Sequence, residues 1–228
     1  MFGTELVKFL TYRTPVLQRL MAPRYRYKIA PGQIAALVGL INATRETNGV
    51  VVEIGLAQGD TSALILEHLK TTNDHRKVYL FDTFEGFTEE SVDCEVESRG
   101  KSRSQLRAFR YGDEAIFSKN LVRAGYSRFE TRKGDAAKFD WSSLGPIGAV
   151  LLDIDLYLPT IEILNNIWPY VVEGGGVIVD DCLAGTPWDG SLQAYQEFVT
   201  AHDLPFRLVG NKGGLVVKPA AVIHRPEV

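Results

Sequence analysis

Cysteine is scarce: Cys94 and Cys182 are the only two in 228 residues. That is too few for a disulfide framework or a cysteine-based zinc site, and it suits a reducing cytosol. Long apolar runs are also missing. No segment reaches the ~18 consecutive apolar residues of a membrane span. The first ten residues include Glu5 and Lys8 and show no apolar run leading to a small-residue cleavage site, so a cytoplasmic chain without a signal peptide or membrane partner is expected. Positive charge is not in excess: 25 Lys+Arg against 28 Asp+Glu give a net charge of −3, and no overall field favours nucleic acid. His68, His75, His202 and His224 have no metal-ligand spacing. Internal repeats and Pro- or Ser-rich linkers are absent. With 45% hydrophobic residues, a chain of this length can support a core without staples.

What is present alternates between two patterns. Short β-branched or apolar runs stand at residues 49–54, 77–81, 127–131, 149–154, 177–179, 206–209 and 215–217. Helical patterns lie between them, at 61–69, 114–124, 160–172 (which Pro169 must end or kink) and 191–201. Another starts at Pro31, with Ile34, Leu37, Val38 and Ile41 at helical spacing. Near the N-terminus, Leu6, Phe9, Leu10, Val16, Leu17 and Leu20 suit one face of an amphipathic helix. The polar stretch 88–104 has no clear apolar period and reads as a solvated loop. Strands alternating with helices imply parallel pairing through crossovers. The five-residue turn Gly210-Asn211-Lys212-Gly213-Gly214 can join only an antiparallel pair. The expected fold is therefore α/β: a Rossmann-like, doubly wound sheet of seven strands, the last antiparallel, with helices on both faces. Ligands bind such sheets beyond the carboxyl ends of the strands.

Chemistry-bearing residues stand at those ends. The first strand runs into Glu53-Ile54-Gly55-Leu56-Ala57-Gln58-Gly59-Asp60-Thr61-Ser62, whose glycines permit a sharp turn and close approach of a ligand. Their G-x-x-x-G spacing is not that of the dinucleotide dehydrogenases. Asp82 ends the second strand, where an acid is placed to accept hydrogen bonds from ribose hydroxyls or to cap a helix. Phe84 follows it, either against a purine or in the core. Asp135, after Gly134 and before Ala136, suits an adenine amino group or a turn cap. Asp153 and Asp155 end the fourth strand, and Asp180 and Asp181 the fifth. Carboxylates that converge near a core repel one another unless a cation neutralises them, and oxygen ligands of this kind suit Mg2+, Ca2+ or Mn2+.

The motifs at 51–62 (VVEIGLAQGDTS), 81–87 (FDTFEGF), 151–160 (LLDIDLYLPT) and 174–182 (GGGVIVDDC) resemble the class I S-adenosylmethionine-dependent methyltransferases. Within them the closest likeness is to the macrocin O-methyltransferase family, which methylates sugar hydroxyls of natural products. The resemblance implies a methyltransferase core at 49–219, a helical cover at 1–48 and a tail at 220–228. It implies that Glu53, Gly55, Ala57, Gly59, Thr61 and Ser62 hold the amino-acid end of the cofactor. Asp82 and Phe84 would meet its ribose and purine, and Asp135 and Ala136 would border its adenine. Asp153, Asp180 and Asp181 would hold Mg2+, with Asp155 in reserve, and Asp153 would take the acceptor's proton, because no lysine follows the first aspartate. The implied partner is a small-molecule hydroxyl acceptor, a sugar or another vicinal diol; a homo-oligomer is allowed. Two rivals stand beside this. A haloacid-dehalogenase-type phosphatase also uses D-x-D and Mg2+, but carries D-x-D on its first core strand. A non-catalytic cofactor-binding protein can share the fold.

Overall fold

The computed structural model describes residues 2–25 and 27–220; the expected tail lies outside them but for Ala220. Seven strands build one sheet: β1 (Val50–Ile54), β2 (Val78–Asp82), β3 (Phe129–Lys133), β4 (Ile147–Leu152), β5 (Val171–Val179), β6 (Leu208–Val209) and β7 (Gly213–Val217). Their order is β3-β2-β1-β4-β5-β7-β6. β1 to β5 pair in parallel, and β7 runs antiparallel to both β5 and β6. Helices α1 (Phe2–Arg13), α2 (Pro31–Ala43), α3 (Asp60–Thr71), α4 (Glu89–Arg99), α5 (Glu114–Arg123), α6 (Tyr157–Ile167) and α7 (Gly190–Ala201) complete the chain.

Strand periodicity divides the core in two. Val52, Ile54, Val150, Leu152, Val177 and Val179 face one side, with Ile163 and Leu164 of α6 and Tyr195 and Phe198 of α7. Val51, Ala149, Leu151 and Ile178 face the other, with side chains of α2, α3 and α5 such as Leu37, Ile65 and Phe117. Burying a side chain the size of Leu151 or Ile178 contributes roughly 1.5–3 kcal/mol. Cover on both faces is why these strands read as unbroken apolar runs. Because β2 and β4 flank β1, the chain leaves β1 in opposite directions across the sheet, and a crevice opens at the carboxyl ends between them. No described helix is long and apolar enough to cross a membrane.

Several boundaries differ from the sequence reading. β3 lies two residues later, and β5 starts at Val171, running through the glycines at 174–176 before its apolar end. α6 starts at Tyr157, because Pro159 is tolerated in a first turn, and stops at Ile167, ahead of Pro169. The N-terminal helix ends at Arg13, shortly before Pro15, so Val16 and Leu17 do not extend its face. Leu6, Phe9 and Leu10 are more than half exposed, and the side chain of Leu20 lies outside the described residues. The stretch 88–104 is not a plain loop: it contains α4. Thr88 caps this helix by accepting from the Ser91 amide (3.3 Å), and Gly100, at φ +66°, ends it. Val92 is buried with Leu106 and Leu156, and Glu95 is buried too.

Candidate functional site

A cavity of about 340 Å3 lies at the carboxyl ends of the strands. Each of the first five strands sends residues to it: Gly55 and Ala57 after β1, Asp82 and Phe84 at β2, Asp135 and Ala136 after β3, Asp153 and Asp155 after β4, Asp180 and Asp181 after β5. Among the described residues, eight non-glycines have positive φ, and five of them line this cavity: Ala57, Phe84, Phe109, Asp155 and Asp181. Such conformations cost energy and persist only where the surroundings impose them, commonly at functional sites.

The β1 turn is built by close approach. Gly55 sits at φ +86°, and a Cβ there would lie 1.8 Å from the Asp153 carbonyl oxygen. Only glycine lets the turn rest against the end of β4. Asp82 ties the turn to the second strand: its Oδ2 accepts from the Leu56 amide (2.8 Å) and its Oδ1 from the Phe84 amide (2.6 Å). Phe84 is 5% exposed, edge-on to Phe117 at 5.7 Å, so it is a core aromatic with one side on the cavity. Asp135 accepts from the Ala137 amide (3.0 Å) and caps the short turn that follows β3.

Four of the residues expected at the cofactor do not reach the cavity lining: Glu53, Gly59, Thr61 and Ser62. Glu53 is fully buried behind the turn, accepting from Ser62 Oγ (2.5 Å) and from Thr61 Oγ1. It clamps the N-terminus of α3. Burial pushes its carboxyl up to about 7, against the opposing effect of the two hydroxyls. Gly59, at φ +87°, gives way to Phe117: a Cβ there would meet that ring at 2.9 Å.

The acidic half of the cavity departs from the sequence expectation. Carboxylate oxygens of Asp153, Asp155 and Asp181 converge, all within 4.8 Å of one another. Asp180, expected in that group, is occupied elsewhere: its Oδ1 accepts from Gln33 Nε2 and its Oδ2 from Lys212 Nζ, both at 2.7 Å. Asp155, the residue held in reserve, stands beside Asp153 and Asp181: its backbone turns into the left-handed region (φ +64°), and the Ser191 amide donates to its carbonyl (3.2 Å). Burial and the neighbouring Asp180 and Asp181 charges hold the Asp153 carboxyl well above the usual carboxylate range. Burial and a hydrogen bond with Asp181 do the same for Asp155. No donor among the described residues bonds to the Asp153 carboxylate. An oxygen-only cluster that is crowded and short of counter-charge fits a hard divalent cation such as Mg2+.

Further residues at this site carried no local signal. Gln33 of α2 is fully buried, and its Oε1 also caps its own helix by accepting from the Ala30 amide (2.8 Å). Lys212 comes from the β6–β7 turn; its composition marked a turn but not a destination. Phe87, Phe109 and Trp188 form an aromatic group at the cavity, with ring centroids 5.6–6.4 Å apart. Glu95 accepts from the Tyr157 amide (2.7 Å) and from Arg99 Nε (2.8 Å), and Arg99 reaches Asp189 (2.7 Å). That chain of charges, buried at Glu95 and half-buried at Arg99 and Asp189, fastens α4 to the starts of α6 and α7, immediately beyond Asp155 and Trp188.

Comparison with known proteins follows the same lines. The family model of macrocin-O-methyltransferase (TylF) matches residues 32–210. A Streptomyces olivaceus protein, 8-demethyl-8-(2,3-dimethoxy-alpha-L-rhamnosyl)-tetracenomycin-C 4'-O-methyltransferase, is 29% identical over 143 residues, which are 58% of this chain. The chain spans about half (52%) of that relative's length. The solved O-methyltransferase NovP superposes with a TM-score of 0.66 at 19% identity, covering 83% of this chain and 80% of its own. The calicheamicin methyltransferase CalS11 gives 0.66 at 19% identity, covering 94% and 90%. Both share the fold.

Proposed function

Because the chain belongs to the macrocin-O-methyltransferase family, we propose that it transfers a methyl group from S-adenosylmethionine to a hydroxyl of a sugar or similar vicinal-diol small molecule. The observation that carries this reading is the meeting of two half-sites in one cavity. The Gly55–Ala57 turn and Asp82 lie on the β1/β2 side, and the carboxylates of Asp153, Asp155 and Asp181 on the β4/β5 side. The names of the tetracenomycin enzyme and CalS11 support a small-molecule acceptor, as does a lining with six aspartates and only two lysines, Lys28 and Lys212, which suits no nucleic acid.

S-adenosylmethionine supplies a sulfonium methyl group, so the protein's task is chiefly alignment. Gly55 and Ala57 let the backbone approach the cofactor, and Asp82 accepts from its ribose with lone pairs that its two amide bonds leave free. Asp135 and Ala136 border the adenine. Glu53, with Thr61 and Ser62, acts behind the lining by holding the start of α3, and Gly59 lets that start pack on Phe117. Asp153, Asp155 and Asp181 would hold Mg2+, which supplies a Lewis acid that makes a hydroxyl easier to ionise. Asp153 takes the hydroxyl proton as the oxygen–methyl bond forms and the sulfur–methyl bond breaks. Residues 49–219 make the catalytic core. α2 belongs to the layer on the sheet, leaving α1 and the segment from Phe87 to Gly112 as the cover.

The test is a screen of vicinal-diol acceptors with labelled cofactor, with and without metal. Transfer should be lost in EDTA and restored by Mg2+. Asp153→Asn and Asp155→Asn should each lower kcat by roughly 10²–10⁴-fold, while S-adenosylhomocysteine binding persists. Full activity in EDTA would remove the metal. Phosphate release from phosphoesters without methyl transfer would favour the phosphatase rival instead.

A further inference from the structure

Three aromatic rings at the cavity are only partly covered, and neither half-site uses them. Phe87 comes from the turn between β2 and α4, Phe109 from the loop after α4, and Trp188 from the loop between β5 and α7. Their planes are inclined by 79° (Phe87–Phe109), 46° (Phe87–Trp188) and 56° (Phe109–Trp188). Rings set this way form an open corner rather than a stack closed on itself. Behind Phe87 and Trp188 lie the buried side chains of Val92, Leu106 and Leu156. Leu156 directly follows Asp155, so the corner adjoins the carboxylates. Its Trp188 wall is fixed. Asp189, next in the chain, pairs with Arg99 (2.7 Å) and Lys101 (2.6 Å), and the Trp188 amide donates to Thr186 Oγ1 (3.2 Å). Phe109 is 42% exposed and held at φ +61°, where a bulky residue is rarely found. Aromatic faces that line a cavity and stay open to it are apolar surface available to a ligand.

The surrounding charges decide what that ligand carries. Of the two lysines in the lining, Lys212 is committed to Asp180 and Asp181, which leaves Lys28 against six aspartates. At the rim, Arg99 and Lys101 are committed to Asp189, and Arg110 to Glu89 (3.4 Å). A diphosphate would enter a field of its own sign with one lysine to meet it. An uncharged ring meets no such cost. We propose that Phe87, Phe109 and Trp188 select the acceptor by taking an uncharged aromatic ring joined to the diol-bearing sugar, so that the substrate is an aryl glycoside rather than a nucleoside-diphosphate sugar. This rests on the proposed function. Trp188 is the specificity-determining residue, because it is the ring whose place is fixed by ion pairs. With the aromatic ring in the corner, the attached sugar extends toward Asp153, Asp155 and Asp181.

Calorimetric titration into the S-adenosylhomocysteine-loaded protein in Mg2+ tests this without turnover. The probes are the 4-nitrophenyl glycosides, methyl glycosides and nucleoside-diphosphate esters of rhamnose, mannose and galactose, each a vicinal diol. For the sugar bound best, the 4-nitrophenyl glycoside should bind roughly tenfold tighter than the methyl glycoside, the scale of one good aromatic contact, and tighter than the nucleotide ester. Trp188→Leu and Phe109→Ala should each remove most of that advantage. Affinity for the methyl glycoside and for S-adenosylhomocysteine should change less than twofold. Trp188→Phe should keep most of the advantage, and it serves as the second variant if leucine folds poorly. Equal loss for the 4-nitrophenyl and methyl glycosides, unchanged affinity in both the Trp188→Leu and Phe109→Ala variants, or tighter binding of the nucleotide ester would overturn the proposal. So would the absence of binding by every probe. Aryl glycosides that bind through Trp188 but are never methylated would instead strike the proposed function and leave the aromatic corner in this role.

Discussion

Glu53→Gln should stabilise the protein at pH 8 and leave it nearly unchanged near pH 4. The carboxyl is fully buried, and burial raises it from 4.5 to about 7 in the folded state. Between those two values the folded chain keeps a proton that the unfolded chain has lost. The unfolded state therefore binds fewer protons, and stability falls as pH rises through this window. The difference corresponds to about 3 kcal/mol, present as extra stability below the unfolded value and lost by pH 8. Glutamine imitates the protonated form: its carbonyl accepts from one of the Thr61 and Ser62 hydroxyls and its amide donates to the other. Urea unfolding of both proteins from pH 4 to pH 8 reads the effect as a difference between curves. Asp153 and Asp155 are raised as well; Glu53 is the smallest of the charges acting on Asp153, so their contributions nearly cancel between the two curves. Parallel curves, or a glutamine variant less stable at pH 8, would refute the argument. The same variant separates two roles. If Glu53 acts only by holding α3, S-adenosylhomocysteine affinity should change by less than ~1 kcal/mol. If its carboxylate instead bonds the cofactor directly, removing that charge-assisted hydrogen bond should cost ~1.5–3 kcal/mol.

Asp82→Ala should weaken S-adenosylhomocysteine binding by ~1–3 kcal/mol in calorimetry, since it removes a ribose acceptor and frees the Leu56 and Phe84 amides together; unchanged affinity would leave Asp82 as a turn clasp only. Limited proteolysis should cut within α1 and residues 102–112 of the free protein, spare α4 behind its Glu95–Arg99–Asp189 chain, and slow at both sites when cofactor and acceptor are bound. Equal rates with and without ligands would show that neither segment is a cover.

The centre of the sheet was legible because β1, β4 and the apolar end of β5 are covered on both faces, and burial marks nearly every residue there. The positions of the site residues at strand ends followed from it. What was not legible is long-range pairing of polar groups. α4 carries few apolar positions, and its hold on the molecule is Glu95, a charged side chain buried only because Arg99 and the Tyr157 amide meet it. The place of Asp155 beside Asp153 and Asp181 goes with a left-handed backbone and with the Ser191 amide, neither written in D-x-D spacing. Glu53, Thr61 and Ser62 meet one another behind the turn, and which side of the turn they occupy depends on how α3 packs, which G-x-x-x-G spacing does not record.

Asp180 joins distant parts of the chain. Gln33 reaches it from 147 positions upstream and Lys212 from 32 downstream. A nascent chain that has formed β1 to β5 therefore presents this carboxylate half-partnered at best, and the β6–β7 hairpin is the last core element to emerge. Docking β7 between β5 and β6 brings Lys212 to the cluster in the same act that completes the sheet, so relief of the acidic repulsion is a late reward of folding. A chain in which β7 has not docked leaves Asp180 and Asp181 without Lys212, so this pairing reports on whether the sheet has closed.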